Sequence, residues 1–140
     1  MNIPIRVGLS EQYGIRGIFA DQKIKKGSVI ERCPIVLIPK SQESALFKTV
    51  LQRYYFEWTA KNHAVVLGYG SLFNHSYTPN ARYDHDYRNK VMVFSAIQDI
   101  GKDEEVTINY NWDPTNTDSL DEFLLDSDTK FAAFRPLKGS

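Results

Sequence analysis

Two stretches decide how this chain is read: Asn74-His75-Ser76-Tyr77-Thr78-Pro79-Asn80 and, further on, Glu104-Glu105-Val106-Thr107-Ile108-Asn109-Tyr110. The first is built of turn formers. Asn, Ser and Thr side chains bond to nearby backbone, and Pro79 stiffens the exit. Taken alone, Asn74-His75-Ser76 reads as an Asx-type turn with a structural histidine. The second is a strand. Val106, Ile108 and Tyr110 recur at a period of two and share one face. Alone, Tyr110 is a half-buried strand-end tyrosine, apolar in its ring and polar at its tip. A third stretch, Tyr13-Gly14-Ile15-Arg16-Gly17-Ile18-Phe19-Ala20, brings a glycine next to a strand. Glycine lets backbone approach a ligand closely, and exposed amides there can bind a carboxylate. By itself it is equally a plain turn.

Most of the remaining chain reads as short strands separated by turns. Ile15 to Ala20 is a strand, Lys25-Lys26-Gly27 a turn, and Val29 to Ile38 a pair of short strands bent near Pro34. His63 to Leu67 is again a strand. Ala81–Tyr83 and Lys90–Ile97 form a hairpin around the polar loop 84–89, the second strand apolar on both faces and so covered on both. Residues 41–58 differ. Leu46, Phe47, Val50, Leu51 and Tyr54 fall on one face at helical spacing, with Ser41 or Ser44 as candidate cap. An internal echo is present: Ala20, Ile24, Gly27 and Val29 are spaced like Ala96, Ile100, Asp103 and Glu105, each set running from strand through turn to strand. It is short, but suits two related β-units closing on each other.

The chain has 140 residues, one domain's worth, with 17 basic and 17 acidic side chains. With no net charge, no global field draws it to nucleic acid or membrane. No apolar run is long enough to span a bilayer, and no signal-peptide core precedes the domain. Cys33 is the only cysteine, so intramolecular disulfides are excluded, and its apolar neighbours mark it as a buried thiol. A cytoplasmic setting is the default, with a nuclear one open if the source is eukaryotic. No His, Cys or carboxylate set stands at metal-binding spacing, so no metal is expected. His63 and His85 read as surface or strand-end residues without a role. The acidic side chains concentrate toward the C-terminus: residues 113–128 hold six and no basic one. Leu120, Phe123, Leu124 and Leu125 lie among them at roughly helical spacing, a pattern that packs an apolar stripe and shows carboxylates to water.

Together and in this order, the three stretches resemble the SET domain of protein lysine methyltransferases, over residues 15–110. The resemblance implies a mainly β fold with a short helical insert, the β-clip of several small curled sheets, with the last strand passing beneath the Asn-His-Ser loop as a C-terminal pseudoknot. Residues 1–140 then form a single domain: core about 15–110, helical insert about 41–58, acidic and aromatic tail 111–140. It implies S-adenosylmethionine as cofactor and a lysine ε-amine as methyl acceptor, on a protein or peptide that a histone-like substrate would satisfy. Direct nucleic-acid and membrane binding are not implied.

By the same resemblance Ile15, Arg16, Gly17, Asn74, His75 and Tyr110 contact the cofactor, and Tyr110 stands at the transfer point as the catalytic residue. An aromatic channel sheathes the lysine, with Tyr69, Trp112, Tyr54, Trp58, Phe131 and Phe134 as candidates; each, taken singly, also reads as core. In many relatives a zinc-bound cysteine cluster completes this channel, which Cys33 alone cannot build, so either the tail from Asn111 onward does so or the channel stays open until substrate arrives. Two residues depart from the family pattern. Ile15 stands for the usual first glycine and keeps the backbone contacts only at negative φ. Asp103 stands for a turn glycine, and aspartate tolerates the left-handed region better than most residues. An alternative reading is a SET-like module that recognises a basic peptide with little or no catalysis, since fold alone does not guarantee chemistry.

Overall fold

The computed structural model describes residues 3–120; Phe131, Phe134 and the Phe123–Leu125 stripe lie outside the described residues. Two sheets share one core. Strands β1 (Ile5–Ser10), β2 (Ile15–Ala20), β6 (Asn74–His75) and β9 (Glu105–Ile108) form the first, in the order β1-β2-β9-β6. Strands β3 (Val29–Pro39), β4 (Tyr55–Thr59), β5 (Asn62–Val66), β7 (Ala81–Asp86) and β8 (Val91–Ala96) form the second, in the order β4-β5-β3-β8-β7. The curled, mainly β architecture is the one the resemblance implies. Ile18, Val106 and Ile108 from one sheet and Cys33, Met92 and Phe94 from the other are all fully buried. Burial also raises the Cys33 thiol pKa, as does the Glu31 carboxylate beside it, so the thiol stays protonated and inert.

The expected bend at Pro34 is instead a change of partner. β3 is one strand: residues 29–34 pair with β8 and residues 35–39 with β5. Proline has no N–H to give to a ladder, and the Pro34 carbonyl accepts from Leu67 N beyond β5 at 2.9 Å. The β7–β8 hairpin has a tighter loop than expected, with β7 reaching Asp86 and Lys90 in the left-handed region at φ 55°.

The 41–58 insert is not one helix. It is a 3-10 turn over Lys40–Gln42, a single turn of helix α1 (Glu43–Leu46), and a second 3-10 turn over Val50–Arg53, after which the chain enters β4. Thr49 causes the break. Its Oγ1 donates to Leu46 O at 2.8 Å and accepts from Leu51 N at 3.1 Å, ending one turn and capping the next. Neither Ser41 nor Ser44 caps α1. Of the periodic apolar residues only Leu46 is buried, while Val50 is 58% exposed. His63, expected at the surface, instead fixes this insert. It is buried, with Nε2 2.8 Å from Glu43 of α1 and Nδ1 3.5 Å from Glu57 of β4.

The internal echo is realised as a pseudo-two-fold pair of turns. Ile24 and Ile100 exchange backbone hydrogen bonds at 2.9 and 2.8 Å. Gly27 N donates to Ala96 O and Asp103 N to Ala20 O, both at 2.8 Å. Ala96 N donates to Ser28 O and Ala20 N to Glu104 O, both at 2.9 Å. Each turn needs a left-handed residue at the same place: Gly27 at φ 88° and Asp103 at φ 71°. The Asp103 carboxylate also pairs with Arg6 of β1 at 2.9 Å. This symmetry delivers the chain into β9, and so into the site, at a fixed register. A Cβ at Gly27 meets nothing within 4 Å, so Gly27→Ala should lose only the backbone term, about 1–2 kcal/mol. Gly27→Asp, which copies the related turn, should lose less. Urea denaturation of the two variants checks this, and equal losses would break the equivalence of the turns.

Candidate functional site

β9 is the meeting point of the three stretches. On one edge it pairs antiparallel with β2, Ile18 opposite Val106. On the other it pairs parallel with β6, Asn74 opposite Thr107 and His75 opposite Ile108. The 74–80 loop is then tied along β9. Ser76 N donates to Ile108 O at 2.9 Å. The buried Asn80 side chain spans the strand, donating to Glu105 O at 2.9 Å and accepting from Thr107 N at 2.9 Å. The 74–80 loop thus runs along β9, held to it by backbone and side-chain bonds.

The arrangement brings Arg16, Gly17, Asn74, His75 and Tyr110 together. Asn74 Nδ2 donates to Arg16 O at 3.2 Å and to Glu105 Oε2 at 2.7 Å. A Cβ at Gly17 would overlap both Glu105 Oε2 and Asn74 Nδ2, so glycine is required there by its neighbours as well as by any ligand. Both departures from the family pattern are accommodated. Ile15 keeps a negative φ, the left-handed turn being taken by Gly14 at φ 76°, and Asp103 occupies the left-handed region.

His75 is buried, and its Nδ1 accepts from Tyr110 N at 2.9 Å. That bond places the ring proton on Nε2, which is buried without a hydrogen-bond partner among the described residues; the Tyr77 ring stands perpendicular to the imidazole with centroids 4.4 Å apart. Desolvation lowers the His75 pKa to about 4, so the imidazole is neutral at physiological pH and serves as a backbone acceptor. Among the described residues no three His, Cys, Asp or Glu side chains are grouped to hold a metal.

Tyr110 faces the other way as well. Its hydroxyl donates to Phe73 O at 2.7 Å, and the residue borders a cavity of about 250 Å³. Tyr54, Phe56, Phe73, Tyr83 and Trp112 share that wall, with Arg53, Glu57 and His85 among the polar groups. Burial raises the Tyr110 pKa well above the ordinary phenol value, reinforced by the neighbouring Tyr54, Tyr83, Tyr13 and Glu105. Burial likewise raises that of Tyr83. Both stay protonated at neutral pH. Trp112 holds φ at 74°, an unusual state for a bulky residue, and its ring lies 5.4 Å from the Arg82 guanidinium, which is itself fixed by two 3.0 Å bonds to Asp84.

Of the aromatic candidates, Tyr54 and Trp112 therefore line the cavity, and Trp58 and Tyr69 do not. Trp58 lies beyond Phe56 on β4, buried against His85 and Tyr87. Tyr69 belongs to the Gly68–Gly70 turn, its N–H held by Glu31 Oε1 at 3.2 Å; Phe73, past the following 3-10 turn, reaches the cavity instead. Phe56, Phe73, Tyr83 and His85 are lining residues that the sequence reading missed. For Tyr83 and His85 a signal existed: they alternate on one face of the strand that leaves the Asn80 loop. His85, expected to have no role, also holds Glu57 O at 2.9 Å through Nε2.

Comparison with known proteins places this geometry. The SET-domain family profile matches residues 15–111. The chain belongs to the SET-domain protein lysine methyltransferase family. A Schizosaccharomyces pombe protein named histone-lysine N-methyltransferase, H3 lysine-37 specific, is 32% identical over 108 residues, covering 76% of this chain and 73% of that protein. The crystal structure of a Plasmodium falciparum protein provisionally named a histone methyltransferase superposes with a TM-score of 0.65 at 34% identity, over 79% of this chain and 95% of that one. Polycomb Repressive Complex 2 from Chaetomium thermophilum, in a structure bound to S-adenosylmethionine, aligns with a TM-score of 0.66 at 22% identity, over 79% of this chain and 15% of that one. At that identity the likeness is one of fold.

The His75 environment gives a pH prediction. Its folded pKa lies below the ordinary value of 6.5, so between about 6.5 and 4 the unfolded chain binds a proton that the folded one does not. Stability is then complete above pH 6.5 and falls as the pH drops toward 4, by up to about 3 kcal/mol. In proton NMR the His75 ring signals should stay constant from pH 8 to pH 5. Titration of that ring near pH 6.5 would show that it is solvated.

Proposed function

We propose that this chain transfers methyl groups from S-adenosylmethionine to the ε-amine of a lysine in a basic, histone-like protein, with Tyr110 at the transfer point. One observation carries the reading: Tyr110 belongs to both halves of the site. Its backbone N–H is bonded to His75 in the Arg16–Gly17–Asn74–His75 group, and it is among the residues that line the aromatic cavity. A residue so placed touches whatever lies on each side. The relative named for histone lysine activity supports the substrate class.

The donor set fits the amino-acid end of the cofactor. Both Asn74 N–H groups are spent on oxygen acceptors within the protein. Among the described residues no donor reaches Asn74 Oδ1, which leaves an acceptor suited to an ammonium group. When bound, S-adenosylmethionine supplies an electrophilic methyl carbon on a sulfonium sulfur. Everything else falls to the chain. The rings of Tyr54, Phe56, Phe73, Tyr83 and Trp112 form an apolar sheath that admits a lysine stem and attracts its cationic head. Low polarity in that sheath lowers the pKa of a lysine amine and favours its neutral, nucleophilic form. Tyr110 is no general base, because its own pKa is raised further. With its proton engaged at Phe73 O, the phenol acts on a ligand as an acceptor. It orients the amine lone pair and receives weak C–H contacts from the methyl group.

Tyr110→Phe removes that oxygen and keeps the ring. An interaction made in the transition state lowers turnover with little change in ground-state binding. Single-turnover methylation of histones should fall by roughly 10²–10³, while the calorimetric affinity for S-adenosylmethionine stays near the parental value. Parental turnover in the variant would remove Tyr110 from the transfer point.

A further inference from the structure

The hydrogen bonds of Asn74 lead one residue further, to Glu105. Asn74 is 2% exposed and lies between two acceptors, Arg16 O at 3.2 Å and Glu105 Oε2 at 2.7 Å. A rotated amide would set Oδ1 against both oxygens and leave the Nδ2 donors facing the ligand side. Arg16 O is a single neutral carbonyl at long range, and an alternative rotamer could forgo it. The carboxylate is the nearer acceptor and the charged one, and bonds to ionised acceptors are roughly twice as strong as neutral ones. Glu105 is itself fixed. Its Oε1 accepts from Ser10 Oγ at 2.7 Å, and Ser10 Oγ accepts in turn from Tyr13 N at 3.2 Å. Ser10 is 1% exposed. The Glu105 backbone is held on both sides, opposite Phe19 of β2 and through its carbonyl by Asn80. Gly17 supplies the room, since any side chain there would displace Glu105 Oε2 and Asn74 Nδ2.

We propose that Glu105 is a positioning residue for cofactor recognition: its carboxylate locks the Asn74 amide with Oδ1 outward, and so makes the site selective for a ligand with an α-ammonium group. This rests on the cofactor reading above. The chain of contacts Tyr13–Ser10–Glu105–Asn74 runs from the end of β1, through β9, to β6, so the lock is set by the fold before any ligand arrives.

The test compares two ligands by calorimetry: S-adenosylhomocysteine and its analogue with hydrogen in place of the α-ammonium. The parent should prefer the ammonium ligand. Glu105→Ala should weaken S-adenosylhomocysteine about tenfold, the cost of one bond to a charged group, and leave the analogue unchanged. A merely structural role would weaken both alike. Two milder variants decide the matter even if Glu105→Ala does not fold. Glu105→Gln keeps an oxygen on Asn74 without the charge, whereas Glu105→Asp keeps the charge and withdraws it from Asn74. The lock places Gln above Asp in ammonium preference. Equal loss for both ligands, no loss, or Asp above Gln would overturn the lock while cofactor binding itself stands. Failure of the parent to bind S-adenosylhomocysteine would overturn the cofactor reading, and the lock with it.

Discussion

Everything in this structure depends on the burial of one short strand. β9 has four residues, two of which, Val106 and Ile108, have no exposed surface. Its backbone groups are satisfied from both sides: by β2, by β6, and by the Asn80 side chain, which takes the place of a further strand. Buried backbone groups must find partners, and here the partners are the segments that carry the site. Strand pairing and site assembly are therefore the same event. The pseudo-two-fold pair of turns sets the register with which β9 enters, and a one-residue slip would put Val106 and Ile108 on the wrong face.

Two chemically different environments meet at the end of that strand. On one side is a small polar group in which Ser10 and Asn74 both donate to the Glu105 carboxylate. On the other is an aromatic wall of Phe56, Phe73, Tyr83, Tyr54 and Trp112. Tyr110 is shared, held by its N–H to His75 and by its hydroxyl to Phe73 O. A neutral histidine and a neutral phenol are what burial dictates here, and neither serves as a proton-transfer group at neutral pH. The site is built to orient and desolvate. For methyl transfer to an amine, alignment and desolvation are the larger needs.

Much of this was legible in the sequence because it rests on local chemistry. Period-two alternation marked β9, turn formers marked the 74–80 loop, and the spacing of Ala20, Ile24 and Gly27 against Ala96, Ile100 and Asp103 gave the paired turns. Asp103 could be read as a left-handed residue because its side chain tolerates that region. The misreadings share one cause. Leu46, Phe47, Val50 and Leu51 have helical spacing, but only Leu46 finds a surface to bury against, and the Thr49 hydroxyl breaks the run. Tyr69 adjoins the Asn-His-Ser motif in sequence, yet the cavity is lined by Phe73 and Tyr83, whose positions depend on a 3-10 turn and on the pairing of β7 with β8. His63 looked like a strand-end residue because its partners, Glu43 and Glu57, come from separate elements. Glu105 went unnoticed as a site residue because its partners, Ser10 and Asn74, lie on different strands.

The account's central claim is that the polar group and the aromatic cavity meet to carry a methyl group onto lysine. Incubation of the purified protein with isotopically labelled S-adenosylmethionine and core histones, followed by mass spectrometry of the modified peptides, tests it most directly. The account predicts label on the ε-nitrogen of lysine, and on no arginine or histidine. Label on other residue types, or none on any histone or lysate protein from a preparation that binds the cofactor, would contradict it.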